Sequence, residues 1–296
     1  MKRLLGAILL AFFVLAASVP LGLVPPVRQQ AEQAAPQRGE PHVTVVLSAT
    51  GERVSLLMEE YVAGVVAAEM GDSFPLEALA AQAILARTYS LRRLELGITL
   101  SDDPGTAQAY APERVTEKIR EAVDRTRGSI MTHGGELVDA VYHACAGGRT
   151  ATAPEGMQAP DRLYLRPVAD PPCPRDETWS TLFGARELGA AAGVQGAVRS
   201  VAIGERGPSG RALTLVVNGK AVNIFRFRDA LGGNRLKSTL LTAVRLEGDR
   251  VRISGRGWGH GVGLSQWGAA ALAGRGFTAE EIIQHYFANV AVELYW

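Results

Sequence analysis

One carboxyl group in this sequence lies where it could donate a proton. Glu69 follows Val62, Val65 and Val66 at the three- and four-residue spacing that places side chains on one helix face. Because that face is apolar, the carboxyl is predicted to be desolvated, and desolvation raises the pKa of an acid toward the range that a general acid needs. The alternative is a glutamate at a helix end that reaches water or pairs with an arginine.

The segments around this acid predict the helices that would position it. Residues 59 to 70 form a first helix, and a second helix follows it up to Gly97. Asp72 or Ser73 is expected to cap the second helix. A third, more charged helix is predicted over residues 113 to 128.

Strands are predicted in the rest of the chain. A hairpin that turns near Gly134 would deliver His143 and Cys145 on its second arm. Residues 200 to 227 indicate a meander, and residues 241 to 255 another hairpin. The predicted fold class is therefore α+β, with the helical hairpin packed against a mostly antiparallel sheet in a single large domain that has room for two lobes.

Composition narrows the classes of partner. The chain has 296 residues, of which 47% are hydrophobic, and its 31 Lys and Arg nearly balance its 30 Asp and Glu. This is enough chain for a sizeable core. With a net charge of +1 there is no overall field that would favour a nucleic acid, so no nucleic acid partner is predicted.

The N-terminal segment has the pattern of an export signal. Two basic residues precede an uncharged apolar run, so residues 1 to 24 are predicted to be a signal anchor that leaves the bulk of the chain outside the cell membrane. Cleavage near Ala17 would instead release a secreted protein, and the sequence leaves that choice open. Residues 25 to 41, rich in Pro and Gln, are interpreted as a linker. The folded domain then covers residues 42 to 296.

Cys145 and Cys173 are the two cysteines of the chain. In an exported protein a disulfide between them is the favoured interpretation, with two free thiols as the alternative. A metal site that adds His133 and His143 is disfavoured because the sequence contains neither C-x-x-C nor H-E-x-x-H. No metal and no cofactor are predicted.

A glycine-rich segment precedes the C-terminal helix. Six of the fourteen residues from 255 to 268 are glycine, which allows the backbone to approach a ligand or another segment closely. A helix that begins near Leu264 could offer free N–H groups. Thr278 and Glu281 form the pattern of a capping box for the last helix.

Five motifs in this order resemble the stage II sporulation protein D family, which is also related to the modifier protein of a cell-wall amidase. They are EEYVAGVVAAEM, LEALAAQAILARTYSL, YHACAGGRT, YLRPVADP and GWGHGVGLSQWGAAALAGRGFTAEEIIQHYF. The resemblance covers residues 43 to 296. It implies a membrane-anchored, extracytoplasmic lytic transglycosylase that cleaves peptidoglycan glycan strands, prefers strands stripped of their stem peptides and acts in engulfment during sporulation.

In this family the catalytic acid corresponds to Glu69. It would protonate the glycosidic oxygen and then take a proton from the 6-hydroxyl of the same sugar, which closes a 1,6-anhydro ring. Other cell-envelope hydrolases or engulfment proteins would be further partners. The alternative is a non-catalytic peptidoglycan-binding protein that activates an amidase.

The same resemblance makes six further polar side chains candidates for substrate binding. They are Arg87, Tyr89, His143, His260, Ser265 and Gln266. Taken alone, the arginine would be a helix-surface residue, the tyrosine a core residue, and each histidine a satisfied hydrogen-bonding group. Trp258 and Trp267 could stack on sugar rings, although aromatic residues are more often part of a core.

The sequence departs from the family pattern in two loops. The segment after CAGGRT lacks the usual Val-Trp pair, and the loop SDDPGTAQAY is expanded. Substrate contacts from these loops, including any by Asp102, Gln108 or Tyr110, are therefore not predicted.

Overall fold

The computed structural model describes residues 38–103, 108–173 and 178–296. The predicted signal anchor and all but the last residues of the predicted linker lie outside the described residues. Within those ranges, no helix combines the length and apolar character needed to cross a membrane.

The described ranges contain helices and strands in alternation, which confirms the α+β class. The helices are α1 (Met58–Glu69), α2 (Leu76–Glu95), α3 (Glu117–Arg125), α4 (Ala153–Met157), α5 (Ala185–Ala191), α6 (Ile224–Leu231), α7 (Gln266–Ala273) and α8 (Ala279–Tyr286). The strands are β1 (His42–Val46), β2 (Arg53–Leu57), β3 (Leu100–Ser101), β4 (Ser129–His133), β5 (Glu136–Leu137), β6 (Tyr142–His143), β7 (Thr178–Gly184), β8 (Val201–Ile203), β9 (Thr214–Val217), β10 (Lys220–Asn223), β11 (Leu241–Glu247), β12 (Arg250–Arg256), β13 (Leu264–Ser265) and β14 (Ala291–Leu294).

Helices α1 and α2 form the predicted hairpin. Gly71 has a φ of +72°, a left-handed conformation that glycine adopts without steric cost and that ends the first helix. The expected cap by Asp72 or Ser73 is wrong. Pro75 stands at the N-cap of α2, no side chain caps the helix, and the Pro75 carbonyl accepts from the amides of Ala78 and Leu79.

The predicted third helix is divided in two. Pro112–Arg114 form a single 3₁₀ turn, and α3 begins only after Thr116, whose backbone is extended. The inner face of α3 is apolar as predicted, since Ile119 and Val123 are buried.

The predicted hairpin around Gly134 is shorter than expected. Strands β4 and β5 pair antiparallel, but β5 ends at Leu137, and β14 lies on the other edge of β4. The chain then turns at Asp139, whose carbonyl accepts from the Val141 amide. Residues Tyr142–His143 therefore pair in parallel with Leu264–Ser265 instead of continuing the hairpin.

Two separate hydrophobic cores divide the structure into two lobes. The first lobe's core is built from α1, α2, α3, β4 and the C-terminal helices α7 and α8. The second lobe, residues 178–256, has its own core between the antiparallel sheets β11-β12-β7 and β10-β9-β8 and the helices α5 and α6. The second lobe is inserted between two parts of the first.

One strand predicted in the second lobe is partly a helix. β10 ends at Asn223, whose Oδ1 accepts from the amides of Phe225 and Arg226 and so caps α6. The apolar spacing of the sequence after Asn223 fits the period of a strand and the period of a helix. The Asn223 cap stabilises the helix.

Candidate active site

Glu69 is the last residue of α1, and the β6–β13 pair faces it. This parallel pair brings together Tyr142 and, directly after β13, Gln266. Close approach of the two strands depends on Gly263, because a Cβ at that position would lie 2.1 Å from the Val141 carbonyl oxygen. The glycine-rich segment therefore serves contact with another part of the chain, one of the two possibilities that its composition left open.

Three hydrogen bonds hold the Glu69 carboxyl. The Ala109 amide donates to its Oε1 at 3.0 Å, and the side chains of Tyr142 and Gln266 are hydrogen-bond partners as well. Burial raises the pKa of Glu69 above its ordinary value, while the three hydrogen bonds oppose that shift without cancelling it. The carboxyl thus keeps its proton to higher pH than a glutamate in water, as the helix pattern predicted.

A directed chain of hydrogen bonds ends at this carboxyl. Ser90 Oγ donates to Gln108 Oε1 at 3.1 Å, and Gln108 Nε2 donates to the Tyr142 hydroxyl oxygen at 3.0 Å. Because that oxygen already accepts a bond, its proton is directed to Glu69. Gln108, only 2% exposed, lies in the loop where the family pattern is interrupted. The expansion of that loop therefore leaves its contact with the acid in place.

Two other residues of the interrupted loop have packing or local roles. Tyr110 covers α1 where Gly64 leaves room, since a Cβ there would lie 2.2 Å from the ring, and its ring stacks on Tyr61 at 5.4 Å. Asp102 accepts from the Ser48 amide at 2.8 Å, and this hydrogen bond lowers its pKa. Tyr110 therefore packs on α1, and Asp102 binds the segment after β1 next to its pairing with β3.

The two candidate histidines bind backbone groups. His260 Nδ1 accepts from the Val262 amide at 3.0 Å, so its Nε2 carries the proton and donates to the Tyr142 carbonyl at 2.9 Å. His143, 4% exposed, has its Nδ1 3.1 Å from the Val262 carbonyl. These rings fasten the glycine-rich segment to β6, and their expected contacts with substrate stay a prediction.

His260 makes the stability of the protein depend on pH. Burial lowers its pKa from 6.5 to about 4. The neutral ring therefore stabilises the fold above pH 6.5, and about 3 kcal/mol of this stability is expected to be lost as the pH falls toward 4. Urea unfolding at pH 7 and pH 4.5 should show a smaller loss for His260→Gln than for wild type, while His42→Gln, at an exposed position, behaves as wild type. Equal losses in all three proteins would contradict this assignment.

Arg87 and Ser265 are enclosed by the protein. The Arg87 guanidinium is 0% exposed and binds Glu59, with Nη2 at 2.6 Å from the carboxylate. Ser265, also 0% exposed, is the N-cap of α7, and its Oγ accepts from the Gly268 amide. Both side chains thus have protein partners, and their role in substrate binding stays a prediction. Tyr89 is partly exposed, and Gln266 reaches the acid itself.

Comparisons with known proteins agree on a family. The sequence pattern described as Stage II sporulation protein matches residues 48–133, which include the helical hairpin and the acid. Stage II sporulation protein D of Bacillus subtilis is 31% identical over 260 residues, and the alignment covers 79% of this chain and 74% of that protein. The chain belongs to the stage II sporulation protein D family.

Other relatives extend the comparison over both lobes. Stage II sporulation protein D of Bacillus amyloliquefaciens is also 31% identical, with 79% of this chain and 74% of that protein aligned. The amidase enhancer of Bacillus subtilis is 26% identical over 286 residues, which cover 78% of this chain and 40% of that protein. A domain of unknown function matches residues 185–263, most of which lie in the second lobe.

In this member of the stage II sporulation protein D family, a disulfide supports one wall of a cleft beside the acid. Cys145 and Cys173 are joined, as predicted. The loop that they close contains α4 and residues 159–165, which face α2 across a cavity of about 310 Å³. Tyr89 lines the same cavity and is close enough to Glu69 for the charge of that carboxyl to act on its phenol, so the cleft lies on the Tyr89 side of the acid.

The two candidate stacking tryptophans differ in exposure. Trp267 packs on Phe74 with ring centroids 4.6 Å apart, as part of the core. Trp258 is 37% exposed, and the Lys237 ammonium lies 4.7 Å from its ring centre. Within the described ranges, no group of three or more His, Cys, Asp and Glu side chains is arranged to hold a metal ion.

Sequence reasoning missed two members of the network at the acid. Tyr142 directly precedes the predicted His143, and Gln108 lies in a loop whose family pattern is interrupted. Their residue types carry no special signal. A prediction that the YHAC and GLSQ segments pair as parallel strands would have identified Tyr142, because this pairing places it beside the segment that carries Gln266.

Proposed function

We propose that this protein is a peptidoglycan lytic transglycosylase in which Glu69 is the single general acid and base. The observation that carries the proposal is the environment of the Glu69 carboxyl. Burial raises its pKa, and the groups that bond to it are one amide, one tyrosine and one glutamine. None of them is a second carboxylate. Hydrolysis of a glycosidic bond generally uses two carboxyl groups, whereas an internal sugar hydroxyl needs one group that gives and then takes a proton.

The proposed reaction returns Glu69 to its starting state. The protonated carboxyl donates to the glycosidic oxygen, and the bond from that oxygen to C1 breaks through an oxocarbenium-like state. The carboxylate then removes the proton of the 6-hydroxyl while O6 bonds to C1. During the interval the Ala109 amide and the side chains of Tyr142 and Gln266 stabilise the negative charge. No water is consumed, and the products are a free 4-hydroxyl and a 1,6-anhydro end.

The family and the N-terminal pattern support a proposal for the biological setting. We place the domain outside the cell membrane, held by the N-terminal segment, where it cleaves glycan strands stripped of stem peptides during engulfment in sporulation. Other cell-envelope hydrolases and engulfment proteins are the expected partners, because stripped strands require a prior amidase reaction.

The similarity to the amidase enhancer favours a second candidate function. In that case the protein would bind peptidoglycan and activate an amidase without cleaving glycan itself. The raised pKa of Glu69 argues for the enzyme, since a binding protein has no need for a desolvated acid.

Product analysis in water labelled with ¹⁸O distinguishes these functions. The full chain, in detergent, is incubated with peptide-free glycan strands in H₂¹⁸O, and the new ends are identified by mass spectrometry. The transglycosylase produces 1,6-anhydro ends without ¹⁸O. Reducing ends that contain ¹⁸O would indicate a hydrolase. Uncleaved strands, together with faster peptide release when the protein is added to an amidase acting on intact peptidoglycan in a separate assay, would indicate the activator.

Tyr142→Phe is expected to move the alkaline limb of the pH–rate profile to higher pH. The Tyr142 hydroxyl bonds to the ionised carboxylate and so lowers the pKa of Glu69. Without this hydrogen bond the effect of burial is less opposed, and the pKa of Glu69 is higher. Because protonated Glu69 is the acid, activity then persists to higher pH. Initial rates of 1,6-anhydro formation across pH measure the shift, with Tyr295→Phe as the control variant. An unchanged or acid-shifted limb would contradict the assigned hydrogen bond.

A further inference from the structure

The cleft beside Glu69 has three arginines on its walls, and they differ in their partners. Arg92 and Arg162 both bind Asp139, at 2.6 and 2.5 Å. Arg93 instead lies over the ring of Tyr89, 4.8 Å from its centre. Within the described ranges no carboxylate is within ion-pair distance of Arg93. The guanidinium is thus a cation oriented by an aromatic ring and available to an anionic ligand.

Arg93 belongs to the surroundings of the acid. Tyr89 hydrogen-bonds to Arg93 and is close enough to Glu69 for its charge to act on the phenol. The phenol of Tyr61 is also within reach of the charges on both Glu69 and Arg93. A ligand whose reacting oxygen is at Glu69 would therefore extend past the Tyr89 ring toward Arg93.

The cleft walls near Arg93 are apolar. Leu96, Ile98, Val141 and Met157 line them, and three of these side chains are partly exposed where the cleft opens. A cation beside apolar walls complements a short group that carries both a methyl and a carboxylate. On a muramic acid residue without its stem peptide, the lactyl ether is such a group. Once a stem peptide is attached, the same carboxylate has become a neutral amide.

We propose that Arg93 binds the free lactyl carboxylate of a peptide-free muramic acid residue and thereby selects stripped strands. The inference rests on the proposed function, which makes this cleft a glycan site. A charge-assisted hydrogen bond at a partly exposed position gives about a tenfold preference for the carboxylate over the amide. The preference weakens with salt because the pair remains in contact with solvent.

The test measures binding separately from cleavage. Full-length Glu69→Gln protein is titrated with peptide-free strands and with the same strands after their lactyl carboxylates are converted to methylamides. The expected result is about tenfold tighter binding of the carboxylate strands at low salt. Adding Arg93→Gln should remove this preference by weakening binding of the carboxylate strands alone. Arg120→Gln, a matched loss of one exposed arginine on α3, should preserve it.

The outcomes separate this inference from the proposed reaction. Equal binding of the two kinds of strand by protein that retains Arg93, or a preference that survives Arg93→Gln, would overturn the role of Arg93. Cleavage to 1,6-anhydro ends by wild type would still support the reaction in that case. If wild type cleaves neither strand but the Arg93-dependent preference is present, the reaction is wrong and carboxylate recognition stands.

Discussion

Glu69→Gln is expected to lower the rate of 1,6-anhydro product formation by about two to four orders of magnitude. Glutamine keeps the shape of the side chain and can still bond to its neighbours, but it cannot give a proton to the glycosidic oxygen. Single-turnover assays with peptide-free strands, followed by mass spectrometry of the ends, provide the measurement. Glu60→Gln, at an exposed position on the same helix, should retain the wild-type rate.

The stability of Glu69→Gln distinguishes loss of chemistry from loss of fold. The pKa of Glu69 is raised in the folded state, so ionising this carboxyl costs more in the folded protein than in the unfolded chain. At any pH above the ordinary pKa of a glutamate, this difference destabilises the fold. A neutral glutamine avoids this cost. At pH 7 the variant should therefore unfold at the same temperature as wild type or at a higher one, and a lower melting temperature with lost activity would contradict the catalytic assignment.

Arg87→Met is expected to reduce the free energy of unfolding by about 3–5 kcal/mol. Glu59, 6% exposed, accepts from Arg87 Nε and Nη2 and from the Gly128 amide. Removal of the guanidinium leaves a buried carboxylate without its counter-charge, which costs more than the pair itself contributes. Urea titrations at constant pH, with the wild-type slope retained, give the difference.

A surface ion pair is the matched control for Arg87. Arg252 binds Glu247 on the exposed face of the β11–β12 hairpin, where water screens both charges. Arg252→Met should leave the free energy of unfolding close to that of wild type. If Arg87→Met were as stable as wild type and instead lost glycan binding, Arg87 would have to contact substrate, contrary to its position in the structure.

The sequence allowed the helical hairpin and the desolvation of Glu69 to be predicted because both depend on local spacing. The three valines before Glu69 share a helix face with it and are fully buried, and the carboxyl at the end of that face is partly buried. The partners of Glu69 could not be predicted in this way, because Tyr142 and Gln266 meet through a parallel pairing of strands that are distant in the sequence. Two-residue strands carry no periodic signal that would specify such a pairing.

Polar residues of the glycine-rich segment bind backbone groups in the structure, a use that their spacing in the sequence does not indicate. Without side chains at Gly259 and Gly263, the backbone comes close to β6 and to Val141 just before it, and its amides and carbonyls need partners. His260 and the neighbouring Ser265 supply them. Polar side chains among glycines therefore have two possible uses, and the choice depends on a tertiary approach that sequence spacing does not show.

The insertion of the second lobe determines when this site can come into existence as the chain is made. Glu69 and Tyr142 are synthesised before residues 178–256, and Gln266 after them. Helices α7 and α8, which both pack on α2, also come last. A growing chain that ends within the second lobe lacks Gln266, which binds the carboxyl, and the two helices that pack on α2. The site of the proposed reaction is therefore assembled only after the second lobe and the residues that follow it have been made.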